Sequence, residues 1–478
     1  MNKAIGVAVW ALFGLLGCTT PAPIPSPLES QEAQQALALM QTPPVERHGR
    51  NMWAALITAK QSNLTPEQRQ KLADDYVTEF NHWYATTYVD WYLEQDVFKQ
   101  VSLSEPSSEP KPPLPPGDRQ WPAVAGNKAL CFSTNIFDCL KIVRDQPQAT
   151  QEALAPHMDL LEQVAELAEY DYYHTPLQPG INTPIPPFQH LFLPLSAHAL
   201  NHVNGDSDQA LMGLCRDANT ARVLFRDSND LIAVMVAASM LRNNLHVAAQ
   251  VIAELPLDTA LPASCDTAFA PLTAQDINLS LCSGMRAEFA SLHSFIELLK
   301  KQIIHSQILS ENEHVSDLDN VHLVSAYDKA AVCWPQMQQA LLKDEKFLAP
   351  PVDASISTWL QQCPKLKHNG IPYGLSCALS QIGGADYADY VHRMQDLAAQ
   401  LQIMQALLWL RQQPNLPQPL TNDYLQAAVP ANIYASTQRP LVLSEDGSEL
   451  KIPVYEKRPR DPCNCVRLSL PQALRDAR

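Results

Sequence analysis

Residues 204–209 read Asn204-Gly205-Asp206-Ser207-Asp208-Gln209, and Ser228-Asn229 follows nineteen residues later. Asn and Gly tolerate a left-handed backbone, so Asn204-Gly205 closes one helix. Asp206 then caps the next, with Gln209 placed to complete a capping box. Ser228-Asn229 marks a second restart, and the run after it is free of proline until Pro256. Together with the apolar stretch around His190 to Val203, residues 188–255 are predicted to form three helices joined by tight turns, packed up and down.

The same periodicity extends outward. Toward the N-terminus, Leu154, Met158, Leu161, Ala165, Ala168 and Tyr172 fall at intervals of four and three, one helical stripe. Farther back, Thr65-Pro66-Glu67-Gln68 is a helix start, and Tyr76, Phe80, Trp83, Tyr88 and Trp91 follow near helical spacing. Toward the C-terminus, Met285, Phe289, Leu292, Ile296, Leu299 and Ile303 form one long stripe. Tyr387, Tyr390, Met394, Leu397, Leu401, Met404 and Leu408 form another. The second helix, roughly 40 Å long at about 1.5 Å per residue, is the expected central one. Near the end, Leu441-Val442-Leu443 and Leu450 to Tyr455 flank Asp446-Gly447, whose backbone preferences suit a hairpin turn. The expected fold is all-α, a multi-helix bundle of packed antiparallel helices with a small C-terminal β-hairpin. Composition agrees: 39 prolines against 15 glycines suit helices punctuated by proline-rich connections and disfavour glycine-loop nucleotide folds.

The chain opens Met1-Asn2-Lys3, then runs apolar from Ala4 to Leu16 before Gly17-Cys18. One positive charge before a run too short to span a bilayer is a secretory signal. Leu15-Leu16-Gly17-Cys18 resembles the lipobox of bacterial lipoproteins. That resemblance implies cleavage before Cys18, diacylation of its thiol, acylation of the new amino group, and stable anchoring by two or three chains. Thr19 stands where an inner-membrane retention signal carries Asp, which implies the outer membrane, facing the periplasm. The organisation expected is a signal peptide at 1–17, a lipidated tether at 18–46, and an N-terminal helical segment at 47–102. A proline-rich linker at 103–125, a main helical domain at 126–413 and a tail with the hairpin at 414–478 complete it.

A net charge of −16 with no basic cluster argues against nucleic acid as a partner. Eleven cysteines less Cys18 leave an even number for an oxidising compartment. The expected local disulfides are Cys131–Cys139, Cys265–Cys282 and Cys363–Cys377. Cys463-Asn464-Cys465 would be strained as a direct bridge, which leaves separate partners or a metal open.

Motifs with a known mechanism are missing: no G-x-S-x-G, H-E-x-x-H, Walker loop or G-x-G-x-x-G occurs. Ser108-Glu109-Pro110-Lys111 matches S-x-x-K in letters only, because proline denies it the helical turn. His198 and His202, four apart on one helix face, could with Asp206 ligate a zinc ion; against this, Asp206 already serves as a cap, and no other cofactor is expected. The aromatic stripe, with Tyr76, Phe80, Trp83 and Trp91, could dock a partner or serve as core.

Cys131, Cys139-Leu140 with Val143, Ala210-Leu211, Leu231-Ile232 and Leu281-Cys282-x-x-Met285-Arg286-x-Glu288-Phe289 together resemble a group of uncharacterised proteobacterial envelope proteins, over most of residues 125–415. The resemblance implies one continuous helical domain and carries no activity. The functional expectation is a lipid-anchored envelope protein that binds another protein or supports an assembly without catalysis. The alternative is a periplasmic hydrolase of an envelope polymer or lipid, zinc-dependent if His198 and His202 hold a metal.

Overall fold

The computed structural model describes residues 30–475, except 62, 95–108, 118–123, 125, 133–135, 181, 306–314, 350–352, 363–386, 418, 435, 437 and 457–462. The expected signal peptide and lipobox, with Cys18, and the expected Cys363–Cys377 pair lie outside the described residues.

Helices carry the fold. Pro194–Val203, Ser207–Arg226 and Leu231–Glu254 are the three expected from residues 188–255. Asn204 and Gly205 (φ +94°) close the first, and the Asp206 carboxylate accepts from the Gln209 backbone N–H at 3.1 Å. Asp230 caps the third through the N–H groups of Ile232 and Ala233. In that third helix every residue from Asn243 to Ala249 is buried, so protein surrounds it through two full turns. By length and composition alone it could cross a membrane, but 72% of its most apolar window lies inside the fold. Ser207–Arg226, Ala274–His305, Ala388–Arg411 and the C-terminal sheet pack around it.

Ala388–Arg411 shares the centre as expected, although Ala274–His305, at 32 residues, is the longer. The stripe from Met285 to Ile303 faces inward, with Leu292 half-buried. The stripe read from Leu154 to Tyr172 does not form one helix. Pro156 interrupts it: Pro147–Leu154 ends where the stripe begins, a 3₁₀ turn follows at Ala155–His157, and Met158–Glu166 restarts the helix. The break resets the phase, so Leu160, Val164 and Leu167 are buried while Met158 is 52% exposed.

The C-terminal hairpin is present and larger than expected. Strands β1 (Val442–Leu443), β2 (Glu449–Pro453) and β3 (Cys465–Ser469) form one antiparallel sheet in that order, with Leu443 opposite Leu450 and Ile452 opposite Val466. The connection is wider than a two-residue turn. The Asp446 carboxylate accepts from the Ser444 hydroxyl and from Ser448, and Gly447 takes φ +67°.

The cysteines pair partly as expected. Cys131–Cys139 forms, but Cys265–Cys282 does not: Cys265 bonds Cys215, and Cys282 bonds Cys333. Sequence proximity misleads here because Cys282 lies eight residues into the Ala274–His305 helix, about 12 Å along it. That position faces the turn Ala331–Cys333, while Cys265 faces the middle of Ser207–Arg226. Cys463 and Cys465 bond to each other, with Asn464 between them at φ +46°. The direct bridge doubted from sequence is therefore the one formed.

One hydrophobic core runs from Ala33 to Leu470. The sheet is tied to it by Arg439, 3% exposed, whose guanidinium donates to Asp396 at 2.9 Å and to Asp344, and lies 4.0 Å over the Tyr455 ring. Arg439→Met leaves two carboxylates without their cation and is expected to cost about 3–5 kcal/mol in urea unfolding. A loss under about 1 kcal/mol would mean that the sheet is held by packing alone.

His246, 4% exposed on the central helix, is pushed down to about 3, first by burial and then by Arg467 and Arg242. The unfolded chain accepts that proton near pH 6.5. Between there and about 3 the unfolded state binds more protons, so this residue's contribution to stability falls as pH falls through that window. From pH 7 to 5 the wild type is expected to lose more melting temperature than His246→Gln. Equal losses would remove His246 from the acid response.

Candidate metal centre

Two antiparallel helices, Ala274–His305 and Val315–Ala330, form a hairpin. Thr273 and Asp276 start the first reciprocally: Asp276 accepts from the Thr273 backbone N–H at 2.9 Å, and Thr273 Oγ1 accepts from the Asp276 N–H at 3.0 Å. His293 and Glu297 stand four apart, hence on one face, and His322 meets them from the second helix. His293 Nδ1 and His322 Nε2 are 3.2 Å apart, with one ring donating to the other. One ligand atom from each of the three residues lies within 4.8 Å of the others. Phe289, one turn below, stacks on the His293 ring with centroids 5.9 Å apart.

Charge is arranged around the cluster. Lys300 donates to Glu297 Oε1 at 2.8 Å and to Asp319 Oδ1 at 2.5 Å. His322 is pushed down to about 4 by burial and then by Lys300 and His293, so it is neutral at physiological pH. Burial acts to raise Glu297, but the hydrogen bond from Lys300 and its charge outweigh it and hold the carboxylate below its usual value. Two imidazoles and one carboxylate thus face one point, a donor set suited to a cation.

Farther along the same two helices lies a second polar cluster, buried in the main core. Lys329 Nζ donates to Ser325 Oγ at 2.8 Å and lies 5.1 Å from the centre of the Tyr387 ring. Burial lowers Lys329 and raises Asp328 to about 6; Glu288 is raised too. A serine beside an amine of lowered pKa has nucleophile chemistry in principle. Here Ser325 and Lys329 are 4% and 2% exposed, so the pair acts as an internal polar staple.

The residues singled out from sequence fall elsewhere. His198 Nε2 pairs with the buried Asp217 carboxylate at 2.8 Å, and its ring sits so close to Gly213 that no side chain fits there. His202 bonds Ser207 Oγ and Glu254 at 2.8 and 2.9 Å. Asp206 serves its cap. His198 and His202 share a face as spacing requires, but each is taken by a different carboxylate, so the expected three-ligand site does not assemble. His190 lies apart, beside His157 and Lys60, and burial pushes it down to about 4.

The aromatic stripe is core and not a docking face. Tyr76, Phe80, Trp83, Tyr88 and Tyr92 are buried, and Trp91 is half-buried. Rings at every fourth residue drift by about 40° per step on an α-helix. The π-helical turn Tyr84–Tyr88 widens the spiral and returns Tyr88 and Tyr92 to the face of Phe80.

Sequence reading passed over His293, Glu297 and His322. The one available signal was the spacing of His293 and Glu297 beside the stripe from Met285 to Ile303; nothing local marks His322 as their partner. Compared with protein-family models, curated proteins and solved structures, the chain has no match.

Phe80, fully buried between Tyr76, Trp83 and Tyr84, separates the two roles of the stripe. Phe80→Ala is expected to lower unfolding free energy by about 3–5 kcal/mol. Unchanged stability in a denaturant melt would return the stripe to the surface.

Proposed function

We propose that this chain is an envelope lipoprotein, anchored through Cys18 to the outer membrane and facing the periplasm, that holds a partner protein in an assembly without catalysing a reaction. The observation that carries the interaction role is the proline segment Glu109 to Gly117. It contains Pro110, Pro112, Pro113, Pro115 and Pro116, and it lies against the body as an extended strap. Asn182 donates to Glu109 at 2.9 Å, the Tyr76 hydroxyl donates to the Pro113 carbonyl at 3.2 Å, and Gly117, at φ +108°, presses on Lys60.

Held in this way, the strap presents Leu114 at 85% exposure, the highest of any large apolar side chain described. Proline fixes φ and removes donors, so a partner meets a backbone that has already lost most of its conformational freedom. An aromatic-lined groove that accepts proline-rich segments is the partner chemistry this suits. The four disulfides among the described residues support an oxidising compartment, and the lipobox supports the anchor.

Two substitutions test the anchor and the strap separately. Cys18→Ala is expected to move the protein from the membrane fraction to the soluble fraction. A photo-crosslinking residue at position 114 is expected to give one reproducible adduct in intact cells, lost when Pro113 and Pro115 are replaced by Gly. The same residue at position 342, also an exposed leucine, is the comparison. An adduct from 342 and none from 114 would overturn the assignment of the strap. Membrane retention of Cys18→Ala would overturn the anchor.

A further inference from the structure

We propose that His293, Glu297 and His322 bind one divalent transition-metal ion of the zinc class, clamping the two helices of the hairpin together. Geometry comes first. Ligand nitrogens at 2.0–2.1 Å from a tetrahedral zinc ion stand about 3.3 Å apart. The facing nitrogens of His293 and His322 are 3.2 Å apart. Glu297, with its side chain 43% exposed, stands on the solvent side, where rotation of its own side chain closes the remaining gap. Two imidazoles and a carboxylate from the protein leave the fourth position to water.

The surroundings are those of a supported site. Phe289 fixes the plane of the His293 ring. Lys300 holds one Glu297 oxygen, leaving the other for the ion, and Asp319 offsets the Lys300 charge. Binding requires His293 Nδ1 and His322 Nε2 to be bare together. The ring that donates between them in the metal-free chain therefore carries its proton on its outer nitrogen when the ion binds.

Position supplies an independent argument. The main core takes in Phe289, Leu323 and Val324 and, on another face of the first helix, Leu298, whereas Ile296, Leu299, Ile303, Leu318 and Val321 form a separate small core. His293 and His322 lie at the seam between the two. They also stand eleven residues beyond Cys282 and eleven before Cys333, about 16 Å along the hairpin from that disulfide. A metal there would be a second crosslink in the same helix register, where apolar burial is interrupted.

The test uses the mature lipidated chain, extracted in detergent, purified through a tag without histidine and stripped with chelator. Zinc is titrated by calorimetry and cobalt by visible absorption. One ion per chain, a tetrahedral cobalt spectrum and a melting temperature that rises with zinc are expected. His293→Ala and Glu297→Gln, both on the open side, are each expected to weaken zinc binding by about tenfold or more, with circular dichroism confirming the fold. His198→Ala and His202→Ala are expected to bind as the wild type does. No one-to-one binding in the wild type would overturn the proposal, as would unchanged affinity in both site variants or loss of zinc in His198→Ala.

Discussion

The Leu231–Glu254 helix is buried from every direction between Asn243 and Ala249, and the elements around it answer that constraint. Polar groups along so buried a stretch have little access to water, and neighbouring elements come to several of them, although the Asn243 side chain has no hydrogen-bond partner among the described residues. Gln250 on the helix donates to the Phe137 carbonyl and so fixes the start of Cys139–Asp145. Gln400 reaches the Arg242 carbonyl, and Arg411 donates to the carbonyls of Ile252 and Pro256. These bonds set the register of Ala388–Arg411 against the central helix at its middle and at its C-terminal end, beyond what apolar packing alone would specify. Gly284 lets the long Ala274–His305 helix approach, since a Cβ there would come within 3.0 Å of the Leu231 Cα.

How much of this was legible depends on whether the signal was local. Asp206 and Thr65 announce helix starts through their own side chains, and both caps form; the restart read at Ser228-Asn229 is capped one residue later by Asp230. Stripes at helical spacing gave the buried faces of Ala274–His305 and Ala388–Arg411. The reading failed at residues 154–172, where three short helical pieces imitate one long period because Pro156 resets the phase between them. It failed again at Cys265 and Cys282, where separation along the chain is a poor guide to separation in space. A buried helix turns Cys282 toward a residue about fifty positions later.

The candidate site was less legible than the fold for the same reason. His198 and His202 looked like ligands because spacing put them on one face, yet each had a carboxylate waiting on another helix: Asp217 for one, Glu254 for the other. The aromatic stripe could be read from sequence as docking face or core, since regular α-helical geometry would fan its rings outward; a single π turn keeps them in the core. His293, Glu297 and His322 come together only when two helices pack in one particular register. That register is a property of the folded pair and of no segment within it.

The hairpin shows how little of a helix pair hydrophobic burial has to hold. Near its base, Met285, Phe289, Leu323 and Val324 belong to the main core, and Cys282–Cys333 ties the two strands of the hairpin covalently. Beyond His293 that core keeps Leu298, while Ile296, Leu299, Ile303, Leu318 and Val321 form a separate small cluster between the two helices. So small a cluster buries little area. The polar groups at the seam therefore weigh more there than their counterparts near the base: the ring-to-ring bond of His293 and His322, and Lys300 bridging Glu297 and Asp319 across the two helices. Hydrophobic residues alone would let the helices slide past each other by a turn, because leucine and isoleucine fill neighbouring holes almost equally well. Directional bonds to His322 and Asp319 permit one register only, and that register places two imidazoles and a carboxylate around one point.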